Sequence, residues 1–296
     1  MESVSRPSSL SARLLDRVPV LGQVLQRPLG ALGFVIVLVF VVVTIFAPLI
    51  APYDPAKQDF KNLLTPPSRV HILGTDYVGR DTFSRIVYGA RVAVEAAFPA
   101  VSIALFFGLL LGMLAGYTGG WVDGAILILV DSIHAFPMMI LALVMVALLG
   151  PSLTNVVIII AFAMIPGYAR VTRAQVLSVK ENDFVEAELN LGASTARIIV
   201  RHVLPNILGP LVILAAMDLP GVITFEAALS FLGLGVQPPT PSWGSILSDG
   251  FRNIFITPWP IVASGLTLMV TTLGFTLFGE TLRDVIDPRL SGTKGI

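Results

Sequence analysis

The chain has 296 residues, of which 55% are hydrophobic and only 13% charged, with a mean hydropathy of +0.85. Soluble domains carry about one quarter charged residues, so this chain has to expose most of its surface to an apolar medium. The formal net charge of +0 leaves no global basic surface for nucleic acid, and the absence of cysteine excludes disulfides and thiolate metal sites.

Uncharged stretches predict six transmembrane helices, because a spanning helix needs about 20 apolar residues. The stretch between Asp131 and Arg170 is too long for one crossing, and Gly150-Pro151-Ser152 divides it into two. In lipid each segment must satisfy its own backbone hydrogen bonds, so the fold class is an all-α membrane protein. The six predicted spans are Leu29–Ile50, Val92–Tyr117, Gly124–Leu149, Leu153–Ala169, Asn206–Ala228 and Pro258–Gly279.

The distribution of Lys and Arg favours a topology with both termini in the cytoplasm. Twelve of the 19 basic residues then lie on the cytoplasmic side and the other seven outside. The first span is predicted to be an uncleaved anchor, since its apolar core is long and follows a long polar stretch. The chain thus divides into a cytoplasmic segment 1–28, a six-span domain 29–280 and a cytoplasmic tail 281–296.

The longest cytoplasmic segment, residues 170–205, joins the fourth and fifth spans. Residues 183–191 carry a helical pattern, Gly192 interrupts it, and an apolar face resumes at Ile198. Two short helices joined at a glycine are the simplest interpretation. Such a segment serves either as an interfacial connector or as a knob that docks into a groove on a cytoplasmic partner.

The spacing of five residues in this segment resembles the EAA loop of ABC importer permeases. Glu188 stands where the family usually has a second alanine, and His202 where it usually has an apolar residue. Residues 73–91, 229–244 and 279–290 are similar to the C-type permease of the dipeptide, oligopeptide and nickel importer family. The five residues that carry the loop resemblance are Glu186, Ala187, Gly192, Leu204 and Pro205.

This resemblance implies a type I ABC importer permease fold in a bacterial inner membrane, and a set of partners. The loop would form the coupling helix, with Glu186 as its charged contact to an ATPase. A charge that merely stabilises the helix N-terminus is the alternative. The implied partners are a second permease, two ATPase subunits, an extracytoplasmic binding protein and membrane lipid, but not nucleic acid.

Cofactors and catalytic groups are expected to lie in other chains. The sequence lacks the G-x-x-x-x-G-K-[ST] pattern that cradles ATP phosphates, so ATP and Mg are expected on the ATPase subunits. The three histidines are too scattered to suggest a metal cluster. We therefore expect no catalytic residue, no metal ligand and no cofactor in this chain.

Asp131, Asp218 and Glu226 fall inside predicted spans, where an unpaired charge costs several kcal/mol. They either line a translocation pathway or make hydrogen bonds to other helices or subunits. Asp131 and His134 lie one helical turn apart and could pair.

Three further patterns flank the spans or lie within them. The four residues Asp76, Arg80, Asp81 and Arg85 fit a polar outer helix that either satisfies itself or docks the binding protein. The proline-rich segment 237–243 predicts a stiff extended loop with Trp243 at the membrane interface. The small residues Gly108, Gly112 and Gly116 recur every four residues and predict close packing of two helices.

Two other classes of protein fit this sequence less well. An ion-coupled secondary transporter often has internal repeats, which this sequence lacks, and it would leave the EAA-like loop unexplained. An intramembrane enzyme would need a catalytic set within the spans, and none is evident. Among substrates of the resembled family, peptide is the first expectation, and nickel, glutathione and opines are the alternatives.

Overall fold

The computed structural model describes residues 20–286, and helices are the only regular elements in this part of the chain. Thr75 and Asp81 form one isolated β-bridge. In chain order the helices are α1 (Val20–Leu25), α2 (Pro28–Ile45), α3 (Ala47–Ile50), α4 (Thr82–Thr118), α5 (Gly120–His134), α6 (Met138–Leu149), α7 (Leu153–Lys180), α8 (Asp183–Asn190), α9 (Thr195–Ile198), a π-helical turn (Ile199–Val203), α10 (Leu204–Phe231), α11 (Trp243–Arg252) and α12 (Trp259–Ile286).

The predicted all-α fold is confirmed. Five helices are long and apolar enough to cross a membrane: α2, α4, α7, the continuous Thr195–Phe231 segment and α12. The third predicted span is a bent pair, α5 and α6, which meet at an angle of 84°. A straight helix over Gly124–Leu149 is therefore wrong. The break lies at Phe136-Pro137, because proline disfavours helical geometry in the residue before it.

Two span boundaries extend well beyond the apolar stretches. α4 begins at Thr82 and not near Val92, since the side chain of Asp81 caps the helix by accepting from the backbone N–H of Ser84 at 2.8 Å. α7 continues past Ala169 to Lys180. Hydropathy marks only the part of a helix that lipid surrounds, and both helices continue into polar surroundings.

α4 and α7 pack closely along the predicted glycine stripe. A Cβ atom added at Gly112 would lie 2.5 Å from the carbonyl oxygen of Ala169, and one at Gly116 would lie 2.9 Å from the Cβ of Val176. A Cβ at Gly108 would clash with Tyr168. The helix-packing interpretation of this stripe is therefore confirmed.

The two ends of the bundle differ in composition. One end, which we call the cap, consists of residues 51–81 and α11. The other, which we call the loop end, carries α8, where Lys180 Nζ donates to the carbonyl oxygen of Tyr117 at 2.9 Å. α1 and the last turns of α12 meet at the loop end through Arg27 and Asp284, 3.3 Å apart.

Most buried apolar residues form one large core in the spans. A separate, smaller core lies at the loop end, and we call it the loop core; its fully buried members are Val176, Val185, Ile198, Val203, Ile207 and Leu211. The predicted segments 1–28 and 281–296 fall partly outside the described residues, which begin within the first and end within the second.

Candidate functional site: the cytoplasmic loop and its surroundings

α8 is an eight-residue helix that lies between the ends of α7 and α9. After it, Gly192 has a φ of +81°, a left-handed conformation that an L side chain adopts with strain. The chain turns there and enters α9, which continues through the π-helical turn into α10. The first of the two predicted short helices is present, whereas the second is the base of a membrane-spanning helix.

α8 exposes most of its surface. Val185 is its only fully buried residue, whereas the apolar side chains of Phe184, Leu189 and, just beyond, Leu191 are exposed, the last to 84%. Glu186 and Ala187 are also exposed. A patch of apolar side chains next to an acid, on a helix with one fully buried residue, suits a groove on another protein.

The five motif residues occupy two places. Glu186 and Ala187 lie on α8 and Gly192 forms the turn that follows it. Leu204, which is half-buried, and Pro205, which is exposed, lie in the first turn of α10. Proline has no N–H to donate, so one helical hydrogen bond is missing at this point of the continuous Thr195–Phe231 segment, directly after the π-helical turn.

Two ion pairs join α7 to α5 at the loop end. Arg173 donates to both carboxylate oxygens of Asp123, at 2.5 and 2.6 Å. Arg170 donates to Asp131 at 2.6 Å, and both side chains are exposed. The predicted pairing of Asp131 with His134 is wrong, because the long Arg170 side chain reaches across from the neighbouring helix.

The other two intramembrane acids lie on α10, each with its own partner. Tyr168 donates its hydroxyl to Asp218 at 2.6 Å, and Ser230 donates to Glu226 at 2.6 Å. Glu226 is only 2% exposed, whereas Asp218 is half-buried. The structure therefore does not bring Asp131, Asp218 and Glu226 together. Within residues 20–286, no group of three or more acidic or histidine side chains could hold a metal ion.

One face of α10 is open. Two adjoining clefts of about 360 and 430 Å³ run along it, and Thr224 and Ala228 line both of them. Asp218 lines neither cleft, because its carboxylate is directed toward Tyr168 of α7. Glu226 points elsewhere, into the packed interior.

Sequence comparison identifies the family. Residues 108–292 match the family described as the binding-protein-dependent transport system inner membrane component. Residues 20–67 match the N-terminal transmembrane domain of oligopeptide transport permease C. The chain belongs to the binding-protein-dependent permease family.

Named relatives are similar over most of this permease's length. A dipeptide transport system permease protein, DppC, from Alkalihalophilus pseudofirmus is 42% identical over 90% of this chain and 88% of its own. A di/tripeptide permease DppC from Pseudomonas aeruginosa is 42% identical over 88% of each chain. The glutathione transport system permease protein GsiD from Escherichia coli is 42% identical over 86% of this chain and 85% of its own.

Solved structures share the permease's fold. The inward-facing MetNI methionine ABC transporter gives a TM-score of 0.56 at 19% identity, over 69% of this chain and 97% of that chain. An amino acid ABC transporter with histidines gives 0.53 at 16% identity, over 67% and 92%. At these identities the likeness shows the fold alone, which is that of ABC importer permeases.

The permease's cap is held by a cluster of buried charges, which we call the cap cluster: Asp76, Arg80, Arg85 and Asp249. Arg80 Nε donates to Asp76 at 2.6 Å, and Arg85 also donates to Asp76. Both arginines reach Asp249 of α11, at 3.3 and 3.2 Å. Burial raises the pKa of Asp249, against the opposing effect of Arg85 and Arg80.

The predicted outer helix over residues 76–85 is therefore wrong. Asp76 and Arg80 lie in a turn before α4, where Asp76 Oδ1 accepts the backbone N–H of Arg80 at 2.9 Å, and these side chains are 2–4% exposed. His71 Nδ1 lies 2.9 Å from Asp81 Oδ1. These charged side chains pair with one another and with Asp249 of α11, and they are buried and do not form a surface helix.

Trp243 is also placed differently from the prediction. Residues 233–242 form the predicted non-helical loop, but Trp243 begins α11 and is 2% exposed. Its indole N–H donates to the carbonyl oxygen of Ile86 at 3.0 Å, and its ring lies edge-on to Phe40 at 6.0 Å. The tryptophan therefore joins α11 to α4 and α2 in the interior, and does not lie at the membrane interface.

Proposed function

We propose that this chain is one of two permease subunits of an ATP-driven importer of short peptides, and that it forms half of the translocation pathway. The observation that carries the proposal is the exposed, apolar and acidic α8, in which Val185 is the one fully buried residue. Family membership supplies the class of transporter, and the full-length relatives named for peptides supply the substrate class.

The loop would couple the spans to an ATPase. Glu186 and Ala187 would make contact in a cleft of the ATPase subunit, together with the exposed Phe184, Leu189 and Leu191. Gly192 would fix the turn, and Leu204 and Pro205 would begin the helix that transmits the motion. ATP and Mg would be held by two ATPase subunits, because this sequence carries no P-loop.

The same assignment gives an orientation in the bacterial inner membrane. The loop end would face the cytoplasm, with α1 and the end of α12 beside it, and the cap would face an extracytoplasmic binding protein. The distribution of basic residues supports this orientation. The termini themselves, residues 1–19 and 287–296, lie outside the described residues.

The open face of α10 would line the pathway opposite the second permease. Asp218, which is half-buried on the same helix and accepts from Tyr168, would then meet the ammonium group of a peptide. Glu226 is fully buried and would act on the pathway only through Ser230 and the loop that follows α10. Asp131, paired with Arg170, would lie near the cytoplasmic mouth.

Glutathione is a second candidate substrate, because the glutathione permease GsiD is as similar to this chain as the dipeptide permeases are. It is itself a short peptide, so the two candidates share a substrate class. Uptake of a labelled dipeptide by proteoliposomes, in competition with unlabelled glutathione, would rank them. The preferred substrate is the one that inhibits at the lower concentration.

Purification in mild detergent tests the whole assignment. We expect a second permease and two ATPase subunits to copurify with the chain. Glu186→Lys should lose the ATPases, because it places a cation where the proposed contact takes the carboxylate of Glu186. Glu280→Lys, at an exposed acid of α12, is the matched control and should retain them. A chain that purifies alone and transports solute without ATP would overturn the proposal in favour of an ion-coupled transporter.

A further inference from the structure

Glu188 and His202, the two positions at which the loop departs from the EAA pattern, face each other in the folded chain. The Nε2 atom of His202 lies 3.4 Å from the Oε1 atom of Glu188. The side chains are part-buried, with 23% of His202 and 32% of Glu188 exposed. The two residues that differ from the EAA pattern thus lie on opposite sides of Gly192 in the sequence and contact each other in the structure.

The surroundings of His202 favour a hydrogen bond with Glu188. Its Nε2 atom is shielded from solvent and has no well-aligned hydrogen-bond partner among the described residues. A shielded polar atom without a partner costs free energy, and the carboxylate of Glu188 is the group placed to offset that cost. The ring of Phe184 lies 6.0 Å from the imidazole and covers part of it.

The contact lies between α8 and the base of α10. His202 belongs to the π-helical turn that leads directly into α10, and turns of this kind are frequent at functional sites. Glu188 follows Val185 by three residues and therefore lies on the same side of α8. α8 is held at two points, by Val185 in the loop core and by Glu188 on the π-helical turn.

We propose that Glu188 and His202 are positioning residues that make α8 and the base of α10 move together, so that displacement of α8 reaches the membrane-spanning helix. The proposal rests on the proposed docking of an ATPase to α8. If α8 moves toward the turn when the ATPase docks, the contact shortens into a charge-assisted hydrogen bond. Without the pair, α8 would turn about Val185 and lose part of the displacement.

A double-mutant cycle tests whether the two residues act as a pair. Peptide transported per ATP hydrolysed is measured in proteoliposomes for Glu188→Gln, His202→Gln and the double variant. Each single variant should transport about two- to five-fold less per ATP, the scale of the net contribution of one part-exposed hydrogen bond. The double variant should be no worse than either single one. Glu280→Gln, an exposed acid on α12, is the control that should leave the ratio unchanged.

A cross-link makes the test independent of folding, because the natural chain has no cysteine. Glu188→Cys with His202→Cys, in complex with its ATPases, should transport about two- to five-fold less per ATP than the parent. A short bifunctional thiol reagent that joins the two cysteines should restore the parent ratio in the same preparation. The parent chain treated with the same reagent controls for reaction with partner subunits.

Each outcome has a defined meaning. Lower coupling that the cross-link restores supports the proposal. Unchanged coupling in the cysteine variant, additive losses in the cycle, or a cross-link that abolishes transport would overturn it, because the two segments would then act separately. If the ATPases fail to copurify even with the parent chain, the proposed function itself fails.

Discussion

The cap and the loop end stabilise themselves in opposite ways. In the cap, four charged side chains from two distant segments neutralise one another almost out of reach of solvent. At the loop end, the Arg170–Asp131 pair is exposed, the Arg173–Asp123 pair is only part-buried, and α8 leaves apolar side chains in solvent. The difference indicates that the cap charges pair in the interior of this chain, whereas the pairs at the loop end stay within reach of solvent.

The cap cluster should give the largest loss of stability. Asp76→Asn leaves Arg80 and Arg85 buried without their shared acid, and breaking a buried pair costs about 3–5 kcal/mol. We expect a large fall in thermal unfolding temperature in detergent. Asp54→Asn, at an exposed cap acid, is the matched control. An equal effect of the two substitutions would show that the cap cluster does not hold the cap.

Removal of one hydrogen bond from Trp243 should have a smaller effect. Trp243→Phe keeps an aromatic ring but removes the side-chain donor to the carbonyl oxygen of Ile86, which lies within α4, at a cost of about 0.5–1.5 kcal/mol. Protease digestion of the detergent-solubilised chain should then cut around α11 more readily. Trp121→Phe, at an exposed tryptophan, should leave the digestion pattern as it is. Unchanged cleavage around α11 in the Trp243 variant would contradict the anchoring role.

The exposed pair at the loop end should give the smallest effect. Asp131→Asn removes the charge that faces Arg170, and exposed ion pairs contribute at most about 1 kcal/mol. Its unfolding temperature should lie close to that of the natural chain. If the loss instead matched that of Asp76→Asn, the contrast between the two ends would be wrong.

The spans and the glycine stripe could be predicted from the sequence because each depends on local pattern. The length of each apolar stretch predicts a span, and glycines at every fourth position predict the stripe. The break at Pro137 was missed because a proline does not by itself reveal a break in a span, and Pro99 and Pro166 lie inside unbroken helices of this chain.

The cap could not be predicted because its contacts join distant parts of the chain. Asp249 meets Arg85 across 164 residues of sequence, and without that partner the charges near residue 80 look like a solvated surface. Trp243 was misplaced for the same reason, since its partner Ile86 is 157 residues away. Among the loop residues, the motif spacing located α8, but only the fold showed that Glu188 and His202 meet.

The length of α4 fixes both the distance between the two ends of the molecule and the angle of one end relative to the other about the helix axis. Its 37 residues run without interruption from the Asp81 cap and Arg85 to the stripe that ends at Gly116. Each residue turns a helix by about 100°, so one residue inserted between Arg85 and Gly108 would direct either the cap charges or the glycines away from their partners. Substitutions on the lipid-facing side of α4 leave the relative angle of the cap charges and the glycines unchanged, whereas insertions and deletions between these points alter it. The length of this segment, more than its composition, is therefore what the fold constrains.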